Sequence, residues 1–429
     1  MTIFFFAHFT VLLALGFMLW RRSAAPLRLF FWPAYLLKLA AGVGIGLLYS
    51  LYYSTGDTMN YFRDGMLLTD LARHDTGAYL RFLWNTDMDA GVWQTLTFQE
   101  PRALFLSKVV SVCGLFTANN YWITGCYFSC IAFASAWYLV KVIHRYNAGC
   151  TLAAVVAFLF FPSVLFWSAG IVKESLAMAS LYFLSAVFLC YWGRIPAPWF
   201  AWLIAPLAIW FLWMLKYYYC AALFPVMLTA VVVRWLYVKV KMLPRFVMPL
   251  VWLVVFVVPL AIAATVHPNF YPERFLEVIV SNYEVYASFP DRADRIYYPG
   301  LETTAGSIAM HAPVALFSGL FRPLPWEAHH VFQFVMGLEN CVLLVLLVMC
   351  LWSWRRVWQG GDGILVFSVV VYIMVLAVFL ALSTPNFGTL SRYRVGFIPF
   401  FVFLTACGNV LLERLQRRMP VSVFDAGGE

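Results

Sequence analysis

Charge is what this sequence has least of: Asp, Glu, Lys and Arg together make up 11% of its 429 residues. A soluble domain carries about a quarter. The chain therefore lacks the polar surface to cover a water-facing globule, and a string of soluble domains is excluded. Acids are scarcer than bases, 20 against 29, for a net charge of +9. The bases are spread along the ends of apolar runs instead of being massed on one segment, which excludes a nucleic-acid-binding tract and fits membrane topology. Cysteine is missing from the long polar stretches 54–100 and 268–311, so no exported disulfide framework is expected there. Cys126 and Cys130 share a helix face but have no histidine or acid beside them to complete a metal site. No internal repeat and no low-complexity tract is found, which counts against an inverted-repeat transporter. Basic residues are also absent before the first apolar run, MTIFFFAHFT, and Arg21 and Arg22 follow it. That order is opposite to a cleavable signal peptide and predicts a retained first helix with its N-terminus outside.

Apolar residues are abundant. Hydrophobic residues make up 63% and aromatics 19%, and the mean hydropathy is +0.81. A spanning helix needs about 20 mainly apolar residues. The candidates are 3–20, 30–53, 121–143, 150–168, 174–192, 198–215, 218–238, 246–266, 328–353, 364–384 and 394–413, about 11 in all. The expected fold is an all-α polytopic membrane protein forming a single integral-membrane domain over 1–429. Cytoplasmic loops carry an excess of Lys and Arg. With 11 spans, Arg21, Arg22, Arg28, Lys141, Arg145, Arg194, Arg234, Arg355, Arg356 and the tail 414–429 fall on one side. A further apolar stretch, 101–117, carries Arg102 and Lys108; counting it as a span would export most of those bases. It is read as a half-entering or interfacial helix, and the topology as N-out and C-in.

Two long outer segments follow, 54–104 and 267–327. In the first, Met59, Phe62, Met66 and Leu67 recur near helical spacing and predict an amphipathic helix on the membrane surface. The second is rich in proline, tyrosine and paired charges; its aromatics and its length favour a functional loop over disorder.

The polar groups that could carry chemistry gather at outer helix ends. Asp57 follows Gly56 where the chain leaves the second span. It reads either as a helix cap or as a membrane-edge carboxylate suited to general-base work, with Tyr61 beside it. Lys173 and Glu174 close the Pro162–Phe166–Trp167–Ser168 turn. They either face water or respectively contact an anionic phosphate and orient it or a sugar hydroxyl. Lys216 heads a tyrosine run that would serve equally as an interfacial anchor. Arg322, a further candidate phosphate ligand, and Glu327, in a supporting role, flank two prolines that rule out regular helix, and such backbone at membrane depth must pack on protein or line a cavity. Arg392 and Arg394 follow the Pro385 and Gly388 breaks. They are either snorkelling anchors or bidentate phosphate ligands. No spacing points to a metal; a divalent cation would be compatible with such a site but is not indicated, and no cofactor is implied.

Gly56–Asp57 through Tyr61, the Pro162 to Glu174 turn and Arg392–Tyr393–Arg394 together resemble the GT-C superfamily of integral-membrane glycosyltransferases. The resemblance implies a polyprenyl-phosphate-linked sugar donor and a glycan, lipid or protein acceptor. It places transfer at the outer face of a bacterial cytoplasmic membrane, in cell-envelope glycoconjugate or polysaccharide synthesis, with Asp57 as the catalytic acid of the first outer loop. Three features depart from the family pattern: the acid follows the second span, it stands alone, and the loop closes with Gln99–Glu100–Pro101–Arg102. The stretch from Glu100 through Asn120 also resembles bacterial O-antigen and exopolysaccharide polymerases, which differ in acceptor. A lipid-linked-substrate transporter or flippase is the alternative of another class. It would need ionisable groups in mid-span, and Glu339 is the one deep example.

Overall fold

The computed structural model describes residues 2–53, 56–86, 91–239, 247–266, 271–288, 294–352 and 362–409. In chain order its helices are α1 Thr2–Arg21, α2 Ala25–Leu51, α3 Asp57–His74, α4 Thr76–Asn85, α5 Pro101–Thr117, α6 Tyr121–Tyr146, α7 Thr151–Val155, α8 Pro162–Trp167 and α9 Lys173–Gly193. They continue with α10 Trp199–Lys239, α11 Met248–Val266, α12 Pro272–Ala287, α13 Ala305–Phe321, α14 Val331–Trp352, α15 Gly363–Ser383, α16 Phe387–Tyr393 and α17 Ile398–Ala406. Among the described residues there is no strand, only an isolated bridge between Arg295 and Asn386. The protein is an all-α integral membrane protein.

Seven described helices are long and apolar enough to cross a bilayer alone, including α1, α2, α6, α9, α14 and α15. The expected count of about 11 is not reached on that measure, for physical reasons. The segments 198–215 and 218–238 are two helices that meet at the non-helical backbone of Lys216 (φ −145°, ψ 68°), and taken together as α10 they make one of the seven. The segment 150–168 is broken into α7, a π-helical turn Val156–Phe160, and α8. The 394–413 run opens as a 3₁₀ turn over Arg394–Gly396 before α17. Arg355, Arg356 and the tail 414–429, on which the expected sidedness partly rests, lie outside the described residues.

The described residues divide into two compact units, one ending at Tyr217 and one starting at Tyr218. In the first, the break between α7 and α9 is buried, so its backbone must be satisfied by protein groups. The Lys38 ammonium, on α2, donates to the Leu165 carbonyl at 3.0 Å and to Ser168 Oγ at 2.5 Å. Ser129 Oγ, on α6, accepts from Gly170 N–H at 2.9 Å. Gly170 sits at φ +68°, with the Gly42 carbonyl against the place where a Cβ would be. A side chain there would be strained twice, by the left-handed backbone and by the close approach.

The 54–104 segment is folded where it is described. α3 lies along α5, and Leu68, Ala72, Tyr79, Phe82, Leu96 and Leu104 form its core. α3 packs on α5 through a face other than its most apolar one. Met59, Phe62, Met66 and Leu67 are only half-buried, while Thr58, Tyr61, Asp64, Gly65, Leu68, Thr69 and Ala72 are buried. The small residues explain the choice: a Cβ at Gly65 would run into Val110 of α5. Asp64, fully buried, clamps the loop back onto α3, its two carboxylate oxygens accepting Thr97 N–H and Phe98 N–H at 2.9 Å each. Hydrogen bonds to a charged acceptor contribute about 1.5–3 kcal/mol each, and water can replace part of that at these half-open amides. Asp64→Ala should therefore destabilise the full chain by about 2–3 kcal/mol. The check is thermal unfolding in detergent, with hydrogen exchange accelerated at Thr97 and Phe98.

In the second unit, the 267–327 segment is likewise folded where it is described. Ile296 N–H donates to the Pro385 carbonyl and Phe387 N–H to the Asp294 carbonyl, each at 2.9 Å. Gln333 holds the Asp294 carboxylate at 2.6 Å, and the Arg295 guanidinium donates to the Tyr286 carbonyl at the end of α12.

Candidate functional site

The candidate residues fall into two clusters, one in each unit. In the first unit, α3 starts at Asp57 because Gly56 supplies extended backbone (φ −140°, ψ 140°) just before it. Gly56 occupies the cap position and makes no side-chain cap hydrogen bond, so Asp57 is the first helical residue and not the cap. Its carboxylate is half-buried at the positive end of the helix, where negative charge is favoured. One turn on, Tyr61 is 4% exposed and stacks on Phe98, with ring centroids 4.5 Å apart. The Lys173 ammonium lies 5.4 Å from the Tyr61 ring centroid, within the range of a cation–π contact. Residues four apart share a helix face, so Asp57 lies on the same face of α3 as Tyr61, whose ring the Lys173 ammonium approaches.

Lys173 opens α9, and Glu174 follows in its first turn. Glu174 does not face water: it is 2% exposed and pairs with Lys216 at 2.8 Å. Lys216 is just as buried, at the break in α10, and so is not a snorkelling anchor. The break turns its side chain to Glu174, and a buried pair of this kind is costly to disrupt from either side. The Arg102 guanidinium covers the next residue, Tyr217, at 3.8 Å.

In the second unit, α13 ends at Phe321 and the chain turns through a cis Arg322–Pro323 bond into a short 3₁₀ turn, Pro325–Glu327. Glu327 organises this turn. One oxygen accepts Arg322 Nε at 2.8 Å and pairs with Nη2 at 2.5 Å; the other accepts Leu324 N–H at 2.8 Å. Asn340 of α14 donates to the Pro323 carbonyl at 2.7 Å, and Arg394 Nη1 to the Arg322 carbonyl at 3.3 Å. The Arg322 guanidinium lies 5.3 Å from the Phe387 ring centroid. Burial pushes the Tyr298 phenol up, with the Arg322 charge opposing it.

The two arginines of α16 and its following turn are not equivalent. Arg394 is fully buried, interacts electrostatically with Glu339, and leaves Nε and Nη2 without a hydrogen-bond partner among the described residues. Arg392 is half-buried, its guanidinium 5.3 Å from the Tyr393 ring. The structure thus brings Asp57, Tyr61, Lys173, Glu174 and Lys216 together in one unit, and Arg322, Glu327 and Arg394 in the other, with Arg392 two residues away. Sequence reasoning missed Asp64, Phe98 and Asn340. Asp64 had a signal, since 57, 61 and 64 fall on one helix face; Phe98 and Asn340 had none. No family model, curated protein or solved structure matches the chain.

Proposed function

We propose that the protein is a glycosyltransferase working at the outer face of the membrane, with a polyprenyl-phosphate-linked sugar as donor and a hydroxyl-bearing glycan, lipid or protein as acceptor. The observation that carries the reading is the half-buried Asp57 at a helix start, one turn from a tyrosine whose ring also carries the Lys173 ammonium. A base and a cation near one aromatic platform suit attack by a hydroxyl on a sugar bonded to phosphate. Asp57 takes the acceptor proton as the oxygen bonds to the anomeric carbon. The bond from that carbon to the phosphate oxygen breaks, and polyprenyl phosphate leaves as an anion. Lys173, beside the Tyr61 ring, is the candidate phosphate ligand of the first unit, and Arg392 is a separate candidate in the second. Glu174 with Lys216, and Glu327 with Arg322 and Arg394, position the segments that carry them. A polymerase would use the same chemistry with a growing glycan as acceptor.

The test is transfer of labelled sugar from a polyprenyl-phosphate donor in membranes containing the full chain, compared with membranes without it. Transfer at the outer face also requires the N-out topology. Glu302→Cys, at an exposed position of the second outer segment, should react with an impermeant thiol reagent in intact cells, and Arg145→Cys, at the end of α6, should not. The reverse pattern would put the cluster on the cytoplasmic side and exclude this donor geometry.

A further inference from the structure

The α4–α5 edge of the first outer subdomain carries a surface that the proposed reaction does not use. α4 buries Tyr79 and Phe82 in the subdomain core and turns the opposite edge out, with Leu80 58% and Trp84 88% exposed, four residues apart. Arg81, also exposed, lies between them in sequence. In a subdomain facing only water, a tryptophan so exposed beside a leucine would be an unfavourable apolar patch. At a bilayer interface both side chains and the arginine are well placed, because tryptophan favours the headgroup level and arginine meets lipid phosphates.

The contacts of α5 say where that edge sits. Near its N-terminal end, Phe105 packs edge-on to Trp210 and Phe211 of α10, at 4.9 and 5.2 Å. Those two rings lie five and six residues before the Lys216 break, or about 8–9 Å along the helix at 1.5 Å per residue. At its other end, Phe116 packs on Tyr127 at 5.7 Å. Tyr127 lies six residues into α6, again about 9 Å from the helix start. Both ends of α5 thus pack on helices long and apolar enough to span, Phe105 on α10 and Phe116 on α6. The α5 residues Val112, Leu115 and Phe116 are 45%, 48% and 51% exposed and form one apolar stripe. Lys108 continues that stripe one turn back.

Lys108 ties α4 to α5. Its ammonium donates to the Leu83 carbonyl at 3.1 Å and to Thr86 Oγ1 at 2.6 Å, and lies 5.1 Å from the Phe82 ring. Leu83 and Thr86 flank Trp84 almost directly, at the left-handed end of α4 (Thr86 φ 52°). The end of α4 is therefore fixed to α5 at Lys108.

We infer that Leu80 and Trp84 of α4, with Val112, Leu115 and Phe116 of α5, form one seat that inserts into the outer-leaflet phospholipid interface and holds the first outer subdomain on the membrane. The occupant is lipid, because Lys108 ties the end of α4 to a helix that packs on spanning segments and exposes an apolar stripe of its own. The inference rests on membrane embedding alone and not on the proposed reaction.

Photo-crosslinking tests it in the full chain, reconstituted in vesicles of phosphatidylethanolamine and radiolabelled phosphatidylglycerol. Benzoylphenylalanine replaces Trp84 in one variant, Leu80 in a second and the exposed Asp75 in a control; positions 84 and 80 should leave yield and thermal unfolding at parent values, and the control, which loses the Asp75 cap on Ala78 N–H, should fold with a slightly lower midpoint. Irradiation should give at least about fivefold more phospholipid adduct at positions 84 and 80 than at 75, as burial in the headgroup and acyl boundary requires. Adduct at the Asp75 level would overturn the seat and leave the edge facing water. Capture of an added soluble glycan or protein in preference to lipid would overturn it equally, by showing that the patch serves a different occupant.

Discussion

Asp57→Asn should abolish sugar transfer, lowering the rate by roughly 10²–10⁴-fold, the contribution expected of a positioned general base. Membrane yield and thermal unfolding should stay near those of the parent. The structure separates these two outcomes. If Asp57 were the cap of α3, the substitution would be nearly silent, since asparagine caps as well as aspartate. The cap position belongs to Gly56, so the aspartate at the first helical position does not owe its place to capping. Its charge gains from the helix dipole by about 0.3–1 kcal/mol, which the amide forgoes. The amide keeps the shape and one acceptor oxygen but cannot take a proton from a hydroxyl. The measurement is initial transfer rate at saturating donor, together with the unfolding midpoint. An Asn variant turning over at the parent rate would remove Asp57 from the chemistry and the proposed mechanism with it.

How far the sequence carries depends on which force sets each feature. Hydropathy alone places α1, α2, α6, α9, α14 and α15 within a few residues, because burying about 20 apolar residues in lipid overrides local detail. Breaks inside apolar runs are another matter. Residues 150–168 read as one span because Phe158 to Phe161 continue the apolar pattern, and Pro162 is compatible with a kink. What breaks the helix is made by distant groups: Lys38, 127 residues from Leu165, and Ser129, 41 residues from Gly170. No local pattern announces those partners.

The same distinction applies to the candidate clusters. Asp57, Lys173, Arg322 and Arg394 are legible one at a time, since charge beside apolar runs is expensive and therefore informative. Their partners are not. Glu174 and Lys216 are 42 residues apart, and only the break in α10 turns them toward each other. α3 shows the opposite failure. Its most apolar residues drew attention away from the packed face, because close packing on α5 selects Gly65, Thr69 and Ala72 in place of bulk. Small residues at a helix contact are a packing signal that hydropathy does not register.

Arg392 and Arg394, read together as possible phosphate ligands from sequence, should behave differently from each other. Arg394 is fully buried, holds the Arg322 carbonyl and faces the charge of Glu339. Arg394→Met keeps the length but leaves that carbonyl and carboxylate in a dry setting without their cation. Removing one partner of a buried charge interaction costs about 3–5 kcal/mol, so the expected result is a large fall in unfolding midpoint and poor membrane yield. Arg392 is only half-buried, so Arg392→Lys should leave stability near that of the parent. Lysine retains the charge and loses the planar fork that grips a phosphate bidentately. Charge-assisted bonds of that kind are about twice as strong as neutral ones. If Arg392 binds the donor phosphate, Arg392→Lys should raise the donor KM by about tenfold, the ratio that about 1.4 kcal/mol of lost binding produces. A helix anchor would accept lysine with no change in KM. Parent-like kinetics for Arg392→Lys would leave Lys173, which already sits by the Tyr61 ring near Asp57, as the phosphate ligand to test next.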